Sequence, residues 1–83
     1  IVNQVAPREQ FEAAVHALAR EIAAAAPLAV RMVKKSIYRG VADTLENMLD
    51  YESLNQGITF TTADAREGVT AILEKREPKF VGK

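Results

Sequence analysis

The 83-residue chain has no cysteine and no tryptophan, a single histidine, four glycines and three prolines. Without cysteine there is no disulfide to staple the fold and no thiolate to serve as nucleophile or metal ligand. The lone His16 cannot anchor a zinc site, which needs a denser set of ligands, so no metal is expected. An excess of one charge is missing too: eleven basic and eleven acidic side chains cancel. That speaks against a nucleic-acid partner, which wants a basic excess or stripe. No apolar run approaches the roughly eighteen residues of a membrane span, so no membrane partner is expected and the setting is read as cytoplasmic. A single domain of this length buries only about two-thirds of its unfolded surface.

What is present reads as helix. IVNQVAP, residues 1–7, is a short extended segment, and nothing else in the chain alternates well enough to pair with it. Pro7 suits the first turn of a helix, and Glu9 suits the positive end of its dipole. From there Phe11, Val15, Leu18, Ile22 and Ala26 recur at spacings of four and three, which predicts a first helix over about 8–25. Pro27 breaks it and opens a second over 28–39, with Ala29, Val33 and Ile37 in one line and Gly40 as its stop. Arg31, Lys34, Lys35 and Arg39 form a basic flank, read first as a solvated surface and second as an anion-facing one.

A third helix is predicted over 43–60, capped by Asp43 with Glu46 completing a capping box. Leu45, Met48, Leu49, Tyr51, Leu54 and Ile58 make its apolar face. Glu52 and Gln56 stand four apart, where they can share a buried polar contact. Gly57 implies a close crossing or a fraying end, since glycine costs about 1 kcal/mol inside a helix. Thr61 or Thr62 caps a fourth helix with Asp64 and Glu67 in its early turns. Ala65, Val69, Ile72 and Leu73 are expected to face inward, Gly68 to permit close packing, and Pro78 to end the element. No glycine-rich phosphate loop, paired general acid and base, or Ser-His-Asp set occurs, so no catalytic residue is assigned. On these grounds alone the chain is all-α, a four-helix unit preceded by an orphan extended segment.

LEKREPKFVGK, residues 73–83, leaves a question: a frayed basic end, or a surface for an anionic ligand. Lysine and arginine near a helix C-terminus fit either. The stretch DAREGVTAILEKREPKF at 64–80 resembles the C-terminal end of the enoyl-CoA hydratase/isomerase (crotonase) family. So do AREIAAAAPLAVRMVKKSI at 19–37, LDYESLNQ at 49–56 and IVNQVAP at 1–7, and together they cover nearly the whole chain. The resemblance implies that residues 1–7 end a strand of a preceding spiral core, and that 8–83 are a C-terminal helical subdomain serving oligomerisation and covering the acyl-CoA. Chains of that family are much longer, so a C-terminal piece is expected, consistent with the start at Ile1.

The activity implied for the intact parent is addition of water to 2-enoyl-CoA thioesters, or isomerisation of enoyl-CoA. The oxyanion amides and proton-handling glutamates of that family belong to its spiral core, so this segment is expected to be inactive by itself. In the family a lysine of the last helix, with an aromatic one turn earlier, helps bind the nucleotide end of coenzyme A. The lysine position falls on Lys75 and the aromatic position on Ile72, where this chain departs from the pattern. An ammonium can act on phosphate as a point charge without the ring. Lys79 and Lys83 are read as solvated. No resident cofactor is implied. The partners implied are acyl-CoA substrate and copies of the same chain, as trimer or hexamer in the parent and dimer or larger in the piece. The competing reading is a non-enzymatic helical self-association module.

Overall fold

Proline and threonine set the helix starts. In the computed structural model, which describes residues 2–83, Pro7 stands extended (φ −54°, ψ 150°) and a 3-10 turn, Arg8–Gln10, runs into α1, Phe11–Ala24. Pro7 is therefore just outside the helix, not in its first turn. Pro27 opens α2, Pro27–Gly40, at the position where a missing N–H is not needed. α3 is Leu45–Phe60 and α4 is Ala63–Glu74. Among the described residues there is no strand, and the architecture is all-α. Residues 2–7 are unpaired, and Ile1 of the expected extended segment lies outside the described residues. Among those residues no single helix is long and apolar enough to cross a membrane.

The α3 cap differs from expectation by one residue, and the α4 cap is one of the two threonines expected. Thr44 caps α3: its backbone is extended and its Oγ1 accepts the Asn47 amide at 3.2 Å. Asp43 stands outside the cap and gathers three donors, Arg39 Nε at 2.7 Å, Asn47 Nδ2 at 2.7 Å and its neighbour's amide at 2.9 Å. Occupied in this way, it forms no box with Glu46. α4 is capped by Thr62, whose Oγ1 accepts the Ala65 amide at 3.0 Å. α4 ends at Glu74, before Pro78, because Lys75 turns into the left-handed region (φ 54°, ψ 44°).

α2 packs along α3, and α3 against α4. The faces that meet carry small and polar side chains. Ser36 is buried against Asn55, whose Nδ2 donates to Ser36 Oγ at 3.4 Å. This contact replaces the expected Glu52–Gln56 pair, and both of those residues stay exposed. At the end of α2, a side chain on Gly40 would come within 3.7 Å of Met48. Gly57 has open space around it and lies inside α3, so neither a close crossing nor fraying explains it.

Most of the predicted apolar stripes are uncovered. Ala71, 1 % exposed, is the single buried hydrophobic among the described residues. Val69, Ile72 and Leu73 point outward, contrary to expectation. The covered line of α4 is Asp64–Gly68–Ala71, at spacings of four and three, and its small side chains let the returning tail lie close. Phe11, Val15, Leu18 and Ile22 of α1 are exposed along the whole stripe, as are Val33 and Ile37 of α2. The path turns by 107° between α1 and α2. The radius of gyration is 16.0 Å, against roughly 12 Å for a compact chain of this length. Its accessible surface of 7216 Å² compares with roughly 4,900 Å² for a folded monomer of this mass. The molecule is an open, flat arrangement measuring 44 × 39 × 18 Å.

Candidate functional site

The end of α4 and the tail behind it hold the densest set of polar contacts. Lys75 N donates to Ile72 O at 3.2 Å and Arg76 N to Ala71 O at 3.0 Å, the paired bonds of a Schellman ending. Glycine is usual at the left-handed position; here it is lysine, at a cost of about 1 kcal/mol. Beyond it the chain folds back along α4. Glu67 receives Arg76 through two bonds, 2.6 and 2.9 Å, and the Lys79 amide at 2.7 Å. Asp64, 3 % exposed, accepts the amides of Val81 at 2.7 Å and Gly82 at 2.8 Å. Its own amide donates to Lys83 O at 3.2 Å. The basic end is therefore not frayed: its backbone is fastened and its lysine side chains are exposed.

The electrostatics assign two carboxylates, Glu67 and Asp43, to structure. Arg76, with the Lys79 amide, holds the Glu67 carboxyl down at about 2. Arg39, then Asn47 and the Thr44 amide, do the same for Asp43, also at about 2. Glu67 in turn, with Glu74, raises Arg76. A general acid working near neutrality needs a raised carboxyl, and both shifts run the other way.

Of the residues singled out from sequence, Lys75 and Ile72 lie together at the last turn of α4, and Ile72 is 78 % exposed. Among the described residues Lys75 makes no ion pair, whereas Arg76 is bound to Glu67 and Glu74. An apolar pocket of about 320 Å³ lies beside them, with Leu28, Phe60, Ile72 and Phe80 among its walls. The Phe80 ring lies against Gly68, where an added Cβ would meet it at 3.6 Å, an ordinary contact distance. Elsewhere, Arg31, Lys34 and Lys35 are exposed to solvent, while Arg39 is engaged by Asp43 and stacks over Tyr51 at 4.6 Å. A second apolar groove, about 720 Å³, opens in the elbow of α1 and α2 between Leu18, Ile22, Val30 and Ile37. The Asp64 clasp was not anticipated. Its donors are backbone amides seventeen and eighteen residues away, and such amides leave no mark in a sequence.

The sequence profile of enoyl-CoA hydratase/isomerase matches residues 1–83, the whole chain. The chain belongs to the enoyl-CoA hydratase/isomerase family. It is 43 % identical over 87 residues to the mouse (Mus musculus) mitochondrial enoyl-CoA hydratase domain-containing protein 2, covering all of this chain and 29 % of that protein. To the 1,2-epoxyphenylacetyl-CoA isomerase of Escherichia coli it is 36 % identical over 83 residues, all of this chain and 32 % of the isomerase. Among solved structures, the enoyl-CoA hydratase of Bacillus anthracis superposes with a TM-score of 0.90 at 33 % identity, over 95 % of this chain and 31 % of that one. The chain thus spans about a third of the length of the family members it matches, and its open helical shape is found within their folds.

Proposed function

We propose that this chain is the C-terminal helical subdomain of an enoyl-CoA hydratase, with residues 1–7 leading out of a preceding core and 8–83 covering the acyl-CoA. The observation that supports this most is the superposition of nearly the whole chain on a hydratase at a TM-score of 0.90. The uncovered stripes of α1 and α2 fit the same reading, because their packing partners then belong to the rest of the parent and to neighbouring copies in a trimer or hexamer. The parent's substrate is an acyl-CoA thioester. Lys75 binds the nucleotide end of coenzyme A as a phosphate-facing charge, and Ile72 offers an apolar surface beside it in place of a ring. The left-handed backbone at Lys75, which glycine would adopt at less cost, supports a role for that side chain beyond ending the helix. The proton chemistry lies outside these 83 residues, and the segment alone turns over nothing. A cytoplasmic setting accords with this activity, as does a mitochondrial one of the kind the mouse protein's name records.

The second reading, an enoyl-CoA isomerase, is supported by the family match over the whole chain, whose description names both activities. Steady-state assays of the full-length protein separate them. A hydratase consumes the conjugated thioester of crotonyl-CoA, lowering its ultraviolet absorbance. A 3-enoyl-CoA isomerase creates that conjugation and raises it. Absence of both signals in a folded full-length protein would overturn the proposal.

A further inference from the structure

We propose that Asp64 is a positioning residue for the end of α4: its carboxylate clasps the returning tail, and the clasp holds Lys75 in its binding conformation. This rests on the reading of Lys75 given above. Asp64 lies in the first turn of α4, where the helix dipole favours a negative charge, and it is almost wholly covered. What covers it is the tail. Each carboxylate oxygen takes one tail amide, Val81 N on Oδ1 and Gly82 N on Oδ2, while Lys83 O receives the Asp64 amide. Gly82 can make this approach because it adopts φ 80° and passes close to Pro27, where an added Cβ would sit 3.5 Å from the ring. The strap therefore reaches from α4 to the start of α2.

Lys75 stands between two fixed pieces of backbone. On one side the Schellman bonds tie it to Ala71 and Ile72; on the other, Arg76 and the Lys79 amide are fastened to Glu67. A non-glycine residue stays left-handed only where its surroundings over-determine it. The Schellman bonds are local to the helix end, whereas the strap supplies the tertiary restraint. An amide does not reproduce the Asp64 carboxylate, because asparagine would set its NH2, a donor, against one of the two N–H groups that now meet separate oxygens.

The test uses the full-length enzyme and compares Asp64→Asn, Asp64→Glu and Lys75→Ala with wild type. Asp64→Asn should speed hydrogen exchange at Val81 and Gly82 by about tenfold or more, as expected for losing a charge-assisted bond. It should raise KM for the acyl-CoA toward the Lys75→Ala value while kcat stays within about twofold, the pattern of lost ground-state binding. Asp64→Glu, which keeps both acceptor oxygens, should restore part of each. Unchanged exchange would remove the clasp. A loosened tail with wild-type KM, alongside a raised KM in Lys75→Ala, would leave the function reading standing and overturn this one. A wild-type KM in Lys75→Ala would overturn the binding role of Lys75 and this proposal with it, whatever exchange shows of the clasp. Should Asp64→Asn fail to fold, Glu67→Gln loosens the same strap from its exposed side and is read in the same way.

Discussion

The two ends of the molecule are built on opposite principles. The polar groups of α4 and its tail satisfy one another: Asp64, Glu67, Arg76 and the backbone of the tail close a set of bonds with no outside partner. α1 satisfies almost nothing within the chain. Its stripe of Phe11, Val15, Leu18 and Ile22 is a well-formed apolar face left exposed, with Leu18 and Ile22 facing the open elbow toward α2. Burial of apolar surface is non-directional and takes whatever face is supplied. A clasp of short hydrogen bonds needs its partners in a fixed place. The polar end therefore carries its own tertiary structure, and the apolar end presents an uncovered face that, on the proposed reading, the rest of a longer protein or another copy covers.

The largest expected effect comes from asking each end to work alone. Ile22→Ser should change the stability of the 83-residue chain by less than about 0.5 kcal/mol, the range for exposed positions. On the proposed reading the stripe is buried in a full-length parent, and there the same change should cost roughly 2 kcal/mol or more. Urea unfolding of both forms checks it, and equal effects would erase the contrast. Next is Lys75→Gly, which removes the left-handed strain and should stabilise the chain by about 1 kcal/mol, read as a higher urea midpoint. In the full-length enzyme it should at the same time weaken acyl-CoA binding.

Acid should loosen the polar end. The folded-state carboxyl of Glu67 lies below its ordinary value of 4.5, at about 2. Its stabilising contribution is therefore complete above about pH 4.5 and is lost as pH falls from there toward 2. Hydrogen exchange at Lys79 should quicken, beyond its intrinsic pH dependence, across that window, and Glu67→Gln should abolish the dependence. The smallest effect is at Arg39, whose exposed ion pair with Asp43 is reinforced by the Tyr51 ring. Arg39→Ala should cost about 0.5–1 kcal/mol by urea unfolding.

Helix limits were legible because their signals are local. Pro27 and Thr62 act within a turn of where they stand, so α2 and α3 fall within two residues of their predicted spans, while α1 starts three residues late, behind its 3-10 turn. The α3 cap slipped from Asp43 to Thr44 because both are capping residues and only backbone geometry distinguishes them. Which face each helix buries was not legible. Periodicity shows that Val69, Ile72 and Leu73 share a side, but the complement of that side is not in these residues, and the Asp64–Gly68–Ala71 line met the tail instead. At the candidate site, Lys75 and Ile72 were singled out by resemblance alone. The left-handed turn beneath Lys75 was hidden because lysine does not advertise it as glycine would. The buried contact of α3 was expected at Glu52 and Gln56 but formed at Asn55, where the polar side chain faces Ser36 across the α2 packing line.

Residue-resolved hydrogen exchange on the 83-residue chain tests the contrast most directly. The Val81 and Gly82 amides, outside any helix but bonded to Asp64, should be protected to the level of α4, while α1 exchanges close to the rate of an isolated helix. An α1 protected as strongly as α4, with Val81 and Gly82 exchanging as free coil, would contradict the account.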